Sequence, residues 1–188
     1  MNTLTKTVVG TVLTLLVVAV TTMSTFAADL TFNKIRISGN VKLEIIQGDK
    51  ESVSVIGEYS ARNTSIKRKG YVLLINSSEY EPVTIRVCVK DLQRIDASDK
   101  VEVETIGTFK VKYLQVFLKD DAKANVKASS ESMYTFIKDR SDLKISGNTL
   151  SHTIVRDSVS KLTMQHFVAT VTTTNDINET LALSLNAK

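Results

Sequence analysis

The sequence has few of the residues that mark disulfide-rich, collagen-like or disordered chains. It contains one cysteine, one proline, seven glycines and no tryptophan among 188 residues. One cysteine excludes a framework of intrachain disulfides, and the low proline and glycine content excludes a collagen-like or largely disordered chain. An aromatic content of 6% weighs against an aromatic platform for stacking sugars. With 43% hydrophobic residues, the chain is expected to bury an ordinary core.

The charge balance and the missing motifs exclude several classes of partner. The chain carries 24 basic and 20 acidic residues, which is too even for a nucleic-acid-binding polycation. The run Lys67-Arg-Lys69 fits a solvated loop better than a phosphate track. Neither a Gly-x-Gly-x-x-Gly turn nor a Walker-type loop occurs. We therefore expect no nucleic acid partner and no cofactor.

The amino-terminal segment predicts export. An apolar run, Val8–Val20, follows the charged Lys6 and is followed by small and polar residues. Its length suits a signal sequence, because a membrane span needs about 20 apolar residues. Small residues at Thr25 and Ala27 predict a signal peptide over residues 1–27 that is cleaved after Ala27. We then expect no transmembrane span in the mature chain, the alternative being an uncleaved amino-terminal anchor.

From residue 32 onward, apolar and polar residues alternate with the period of two that is typical of strands. Examples are residues 35–37 and 41–45, which are separated by a Ser-Gly-Asn turn. No later stretch keeps a helical period over ten residues. The pattern predicts one all-β domain over residues 28–188, whose first part, residues 32–90, is an antiparallel strand meander.

A motif returns about every 20 residues in the second half of the chain. The copies are Phe117-Leu-Lys-Asp120, Phe136-Ile-Lys-Asp139 and Ile154-Val-Arg-Asp157, and residues 95–103 resemble a weaker first copy. Such a period in strands and turns is typical of a solenoid, whose rungs bury their apolar faces against one another. The repeat predicts a short parallel β-solenoid, or β-helix, over residues 92–174. A terminal capping strand is expected within residues 175–188.

The aspartates that end these copies form the candidate site. In register they would lie about 4.8 Å apart, close enough to share a calcium ion. A basic residue precedes each one, and an aspartate in a turn commonly caps backbone amides. We therefore expect a structural polar ladder rather than a metal or catalytic site. The ladder comprises Asp120, Asp139, Asp157, Lys119, Lys138 and Arg156.

Other reactive side chains form no recognisable motif. His152 and His166 lack the further ligands that zinc requires. Cys88 falls on the polar side of its strand, where a small, partly covered side chain is expected rather than an interchain disulfide.

Three segments resemble the family called "putative autotransporter adhesin head domain", or GIN domain, a domain of unknown function in exported bacterial proteins. The segments are Phe32–Gly48 (FNKIRISGNVKLEIIQG), Val53–Gly57 (VSVIG) and Leu92–Ser98 (LQRIDAS). The resemblance implies an all-β protein whose carboxy-terminal part is a parallel β-helix. It also implies an adhesin-like role in the periplasm or at the surface of a Gram-negative bacterium.

Residues and resemblance together favour a non-catalytic envelope or cell-surface module that binds glycans or envelope proteins. Polar faces rich in Lys, Asp, Ser and Thr suit many weak contacts at once. One alternative is a small glycan-active enzyme that uses Asp120, Asp121, Asp139 and Arg140. The other is a structural protein that self-associates into a homo-oligomer. A groove with carboxyl groups of raised pKa would favour the enzyme, and flat, salt-paired faces would favour the binding module.

Overall fold

The computed structural model describes residues 24–26 and 32–177, most of which lie in strands. The strands are β1 Ser24–Phe26, β2 Lys34–Gly39, β3 Val41–Gln47, β4 Ser52–Ile56, β5 Thr64–Lys69, β6 Val72–Ser77, β7 Val83–Val89, β8 Arg94–Ala97, β9 Glu102–Ile106, β10 Phe109–Leu118, β11 Lys123–Ile137, β12 Asp142–Arg156, β13 Lys161–Thr163 and β14 Phe167–Asp176. The prediction of an all-β protein is confirmed.

Alternation of apolar and polar residues accounts for these strands. In β3, Val41, Leu43 and Ile45 are buried, whereas the intervening Lys42 is exposed. Successive side chains of a strand point to opposite faces, so this period places one face on the core and one in solvent. One hydrophobic cluster fills the inner side of the sheet from Phe32 to Ile145.

The fourteen strands within the described residues form one curled mixed sheet. Its path runs β1-β4-β7-β3-β9-β11-β10-β8-β2-β6-β5, and β12 extends it by pairing with β11, β13 and β14. The antiparallel pairs are β1 with β4, β4 with β7, and β5 with β6. Antiparallel pairing thus occurs near the two ends of this path, and the strands between them run parallel.

The long strands β11 and β12 each pair with two different strands along their length on one side. Ala124 of β11 lies opposite Val103 of β9, whereas Phe136 of the same strand lies opposite Phe117 of β10. Phe136 in turn lies opposite Val155 of β12, so each step across these parallel strands is 19 residues of chain. The predicted period of about 20 residues is therefore a register offset between parallel neighbours.

The sequence repeat and the structural register differ by one residue in the third copy. The sequence places Ile154 in the row of Phe117 and Phe136, but the structure places Val155 there and Ile154 opposite Thr135. Both Ile154 and Val155 are buried, which interrupts the alternation. Two adjacent apolar residues leave the register ambiguous in the sequence.

The predicted antiparallel meander over residues 32–90 is wrong for β2 and β3, which do not pair with each other. The neighbours of β2 are β6 and β8, those of β3 are β7 and β9, and all four pairings are parallel. Gly39 makes the corner between the two strands possible. Its φ is 90°, and a Cβ there would lie 1.8 Å from the carbonyl oxygen of Ser77. The chain turns a corner instead of reversing, and alternation alone does not distinguish the two.

The predicted signal peptide and capping strand lie at the two ends of the chain, where the structure describes few residues. Strand β1 lies inside the predicted signal peptide and pairs with Val53–Val55 of β4. The predicted cleavage site after Ala27 and most of the predicted capping strand lie outside the described residues. In the part of the chain that the structure describes, no helix has the length and apolar character needed to cross a membrane.

Candidate binding surface

The turns between successive parallel strands carry a row of four aspartates, Asp99, Asp120, Asp139 and Asp157. We call it the aspartate row. The first three adopt positive φ values between 59° and 62°, a conformation that aspartate tolerates better than most residues. Each carboxylate is directed at the backbone of the turn beside it, as the hydrogen bonds show.

The carboxylates of the aspartate row join neighbouring turns. Asp157 Oδ2 accepts the N–H of Asp139 at 2.7 Å, and Asp139 Oδ2 accepts the N–H of Asp120 at 3.3 Å. Asp120 Oδ2 accepts the N–H of Asp99 at 3.2 Å, and Asp99 continues the row to the N–H of Gly39 at 2.9 Å. These carboxylates therefore satisfy backbone donors that the turns would otherwise leave to solvent.

The basic residues predicted beside these aspartates behave differently from one another. Lys138 Nζ lies 3.3 Å from Asp139 Oδ2. Arg156 instead donates to carbonyl oxygens, to that of Ser160 at 2.5 Å and to that of Asp157 at 3.3 Å. Lys119 forms no ion pair within the described residues. The structure thus brings the three aspartates together with one another but brings only Lys138 into an ion pair with its aspartate.

Two carboxyl groups in this region have displaced pKa values, and both are displaced downward. Burial alone would raise the pKa of Asp157, but hydrogen bonds from Ser160, Asp139 and Val159 outweigh it and hold that pKa below its usual value. Two hydrogen bonds of 2.7 Å from Arg140 lower the pKa of Asp121. A general acid would need the opposite displacement.

Metal binding has no geometric support in the described residues. They contain no group of three or more His, Cys, Asp or Glu side chains that could hold a metal ion. His152 is a core side chain, 1% exposed, with Nε2 3.1 Å from Thr135 Oγ1 and its ring in a T-shaped contact with that of Phe167. Burial lowers the pKa of His152 to about 4, so its imidazole is neutral at ordinary pH.

The outer face of one part of the sheet carries a row of alternating charge, which we call the charge row. Its members lie opposite one another on β3, β9, β11, β12 and β13, and they are Lys42, Glu102, Lys123, Asp142 and Lys161. Lys123 Nζ lies 3.4 Å from Glu102 Oε1, and Lys161 Nζ lies 3.7 Å from Asp142 Oδ2. Both carboxylates of the row are thus paired with a lysine on a neighbouring strand.

Sequence reasoning missed the charge row because its members are far apart along the chain. Lys42 and Glu102, for example, become neighbours only when β3 pairs with β9. The available signal was the alternating sign of the charged residue near the start of successive strands. A shallow open groove lies along the row and is lined further by Glu104, Asn125 and Lys144.

A second outer face carries cations at one side and aromatic rings at the other. It is formed, in order across the sheet, by β5, β6, β2, β8, β10 and β11. We call it the basic–aromatic face. Its outward residues include Lys67, Lys69, Lys34, Arg36, Arg94, Asp96, Phe117, Tyr134 and Phe136. The Arg94 guanidinium lies 3.7 Å from the centroid of the Phe117 ring. The Phe117 ring lies 5.5 Å from that of Tyr134 and 5.8 Å from that of Phe136, centroid to centroid.

The chain is an all-β module whose outer faces carry rows of polar and charged side chains. The family described as "Putative auto-transporter adhesin, head GIN domain" matches residues 31–178, and the chain belongs to that family. The predicted resemblance is thereby confirmed. A comparison with curated protein sequences finds no match.

Solved structures share the fold at low sequence identity. A "putative adhesin" from Bacteroides fragilis NCTC 9343 has a TM-score of 0.69 and 13% identity over 83% of this chain and 77% of its own. A "putative adhesin" from Parabacteroides distasonis ATCC 8503 has a TM-score of 0.63 and 14% identity over 82% and 77%. A "Putative lipid binding protein" from the same strain has a TM-score of 0.58 and 11% identity over 82% and 78%. At this identity the likeness establishes the fold alone.

Proposed function

We propose that the protein is a non-catalytic, adhesin-like module of the bacterial envelope or cell surface that binds glycans or other envelope components. The observation that carries this proposal is the stacking of outward side chains, many of them polar or charged, into rows across an open sheet, as on the basic–aromatic face. Neighbouring members of a row are about 4.8 Å apart, so many weak contacts can form with one extended partner.

The chemistry of the turns supports a binding role over catalysis. The aspartate row is engaged in hydrogen bonds to backbone amides, and Asp121 is held by Arg140. Carboxyl groups with lowered pKa values stay ionised at neutral pH and are poor proton donors. Family membership and the adhesin neighbours point the same way.

The experiment that tests the function starts from the full chain, expressed and exported in a Gram-negative host. The purified protein is applied to a glycan array and to isolated envelope fragments, and each sample is analysed for newly released reducing sugars. Reversible binding without sugar release is expected. Release of sugars that stops when Asp120 and Asp139 are replaced by Asn would instead establish a glycan-active enzyme.

Export is the second part of the proposal, and it rests on the apolar run Val8–Val20 and the small residues before position 28. Cleavage after Ala27 would remove β1 and leave the outer edge of β4 unpaired. The intact mass of the exported protein distinguishes a chain that begins at Ala28 from an uncleaved one.

The architecture of residues 92–174 is proposed to be a short parallel β-solenoid, since its parallel neighbours are offset by about one repeat. In that architecture β14 lies at the end of the stack. Within the described residues β14 pairs only with β12. We propose that the apolar residues Leu181, Leu183 and Leu185 cover this end as the predicted capping strand.

The exposed end at β14 also supports a second candidate function, self-association. An end that is not covered by its own chain presents an edge to a second copy. Sedimentation of the exported protein over a range of concentrations separates the two cases, because a constant monomer mass supports capping and a rising mass supports assembly.

A further inference from the structure

We infer that the basic–aromatic face binds an acidic glycan, a polysaccharide chain that carries carboxylate, sulfate or phosphate groups. The inference deepens the proposed function and rests on it, since it names the face that binds and the class of ligand. It is carried by the position of five cations, by the lack of matching anions and by the adjoining rings.

The cations reach one face because of the strand register. Lys67 lies opposite Leu74 of β6, which lies opposite Arg36 of β2. Directly opposed residues of neighbouring strands share a face, so these side chains point the same way. Two neighbouring rows form in this way. The first consists of Lys69, Val72, Lys34 and Arg94, and the second consists of Lys67, Leu74, Arg36 and Asp96.

The dimensions of the rows fit an extended polymer. The four neighbouring strands β5, β6, β2 and β8 span about 14 Å at the usual strand spacing. Lys34 and Lys67 are exposed, and the Arg36 side chain is 64% exposed. An array of separated cations matches a ligand whose anionic groups recur along a chain, and the depression between Lys34, Arg36 and Arg94 is partly open to solvent.

The positive charge of this face is not matched within its two rows. Asp96 is the one carboxylate in them, and it accepts from Arg36 Nε at 3.2 Å and from Arg94 Nη2 at 3.4 Å. Five cations against one anion leave an excess of four, whereas the charge row alternates in sign. Exposed cations of like sign are mutually repulsive, and an external polyanion removes that repulsion.

The rings beside the cations add a surface for the uncharged part of a sugar. Arg94 lies over one side of the Phe117 ring, and Asp96 holds the same guanidinium. This double contact orients Arg94 before any ligand arrives, which lowers the entropy lost on binding. Tyr134 and Phe136 continue the apolar surface on β11, and both are partly exposed.

An acidic glycan fits this face better than an anionic membrane does. Membrane-binding surfaces insert apolar side chains below the headgroups. The apolar members of the two cationic rows, Val72 and Leu74, are partly buried within the sheet between long cationic side chains. A polysaccharide can instead lie along the face and contact cations and rings together.

The test uses the full exported protein and measures its affinity for polygalacturonate, dextran sulfate and uncharged dextran. We expect binding to the two polyanions that weakens with added salt, and none to dextran. In the variant Lys34→Gln with Lys67→Gln, affinity for polygalacturonate should fall about tenfold, since two contacts to a charged ligand are lost.

The matched control is Lys42→Gln with Lys144→Gln, which removes the same charge from the face of the charge row. It should change the affinity less than about twofold if the cations of the basic–aromatic face are the contacts. Equal losses in both variants would show attraction by net charge alone and would overturn the inference. Circular dichroism of both variants verifies that the fold is retained.

The remaining outcomes separate this inference from the proposed function. Binding to phosphatidylglycerol vesicles, with no binding to polyanionic glycans, would assign the face to a membrane and overturn the inference. Binding to envelope fragments or neutral glycans alone would also overturn it but leave the proposed function standing. Failure to bind any of these materials would count against both.

Discussion

The two outer faces of this sheet carry charged side chains in opposite arrangements. On the charge row, Lys123 is followed by Asp142 and Asp142 by Lys161, so each charge meets its opposite on the next strand. On the basic–aromatic face, Lys34 is followed by Arg94. The register of the parallel strands thus brings residues that are distant in sequence side by side in a row. Where the charges of a row alternate in sign, they pair with one another, and where they have the same sign, they are free to attract a charged partner.

The largest expected effect comes from breaking the scaffold that both faces share. Gly39→Ala places a Cβ 1.8 Å from the carbonyl oxygen of Ser77 and should lower the free energy of unfolding by about 3 kcal/mol or more. The control is Gly107→Ala, which has a similar φ of 83° but nothing within 4 Å of its Cβ. That control should cost only about 1 kcal/mol. Urea denaturation measures both, and equal losses would show that the close approach is unimportant.

Lowering the pH should first reduce the free energy of unfolding through His152, which lies in the core beneath both faces. The pKa of His152 is about 4 in the folded chain, against 6.5 for a free histidine. Protons therefore favour the unfolded chain, so stability is full above pH 6.5 and falls as the pH drops from there towards 4. The expected loss is about 3 kcal/mol, and His152→Gln should abolish most of this slope.

The control for this pH dependence is His166→Asn, which replaces the exposed histidine of a turn with a residue that also tolerates positive φ. Urea denaturation at several pH values compares the three proteins. A slope that persists in His152→Gln would mean that another group causes it.

The aspartate row should stabilise the turns that connect the strands of the two faces, because its carboxylates join neighbouring turns. Asp157→Ala removes acceptors for the N–H groups of Asp139, Val159 and Ser160 and should cost about 2 kcal/mol. Lys119→Ala, in the turn between β10 and β11, should cost under about 0.5 kcal/mol. Because the pKa of Asp157 is lowered, its contribution is present at neutral pH and disappears in strong acid. A thermal scan in which both variants melt alike would refute this assignment.

The smallest effect on stability should accompany a gain in binding. Glu102→Gln with Asp142→Asn breaks one exposed and one partly buried ion pair and should cost about 1 kcal/mol. The charge row would then hold three lysines without an anion between them and should bind polygalacturonate a few times more strongly. Unchanged affinity would show that the sign order of a row does not determine binding.

The fold was largely predictable from local pattern, and its connectivity was not. Alternation such as Val41, Leu43 and Ile45 identifies a strand and its buried face. It does not state whether Gly39 begins a reversal or a corner, because that depends on the close approach of Ser77. The period near 20 residues indicated the stacking, but the adjacent apolar residues Ile154 and Val155 hid the register by one position.

The candidate surfaces were less accessible to sequence reasoning than the fold. The residues Asp120, Asp139 and Asp157 were found because they end a visible motif. Arg94 and Phe117 become neighbours only because β8 pairs with β10. Lys67 lies on the same face because β2 and β6 connect β8 to its strand β5. A low overall aromatic content also concealed that three rings gather on one face.

The most direct test is an NMR titration of the exported protein with short oligogalacturonates at low ionic strength, observed through backbone amides. The contrast between the two faces predicts shifts concentrated at Lys34, Arg36 and Lys67 and at the neighbouring residues of β8 and β10. Amides of Lys42, Glu102 and Lys123 should remain unchanged. Shifts of equal size on both faces, or shifts confined to the aspartate row, would contradict it.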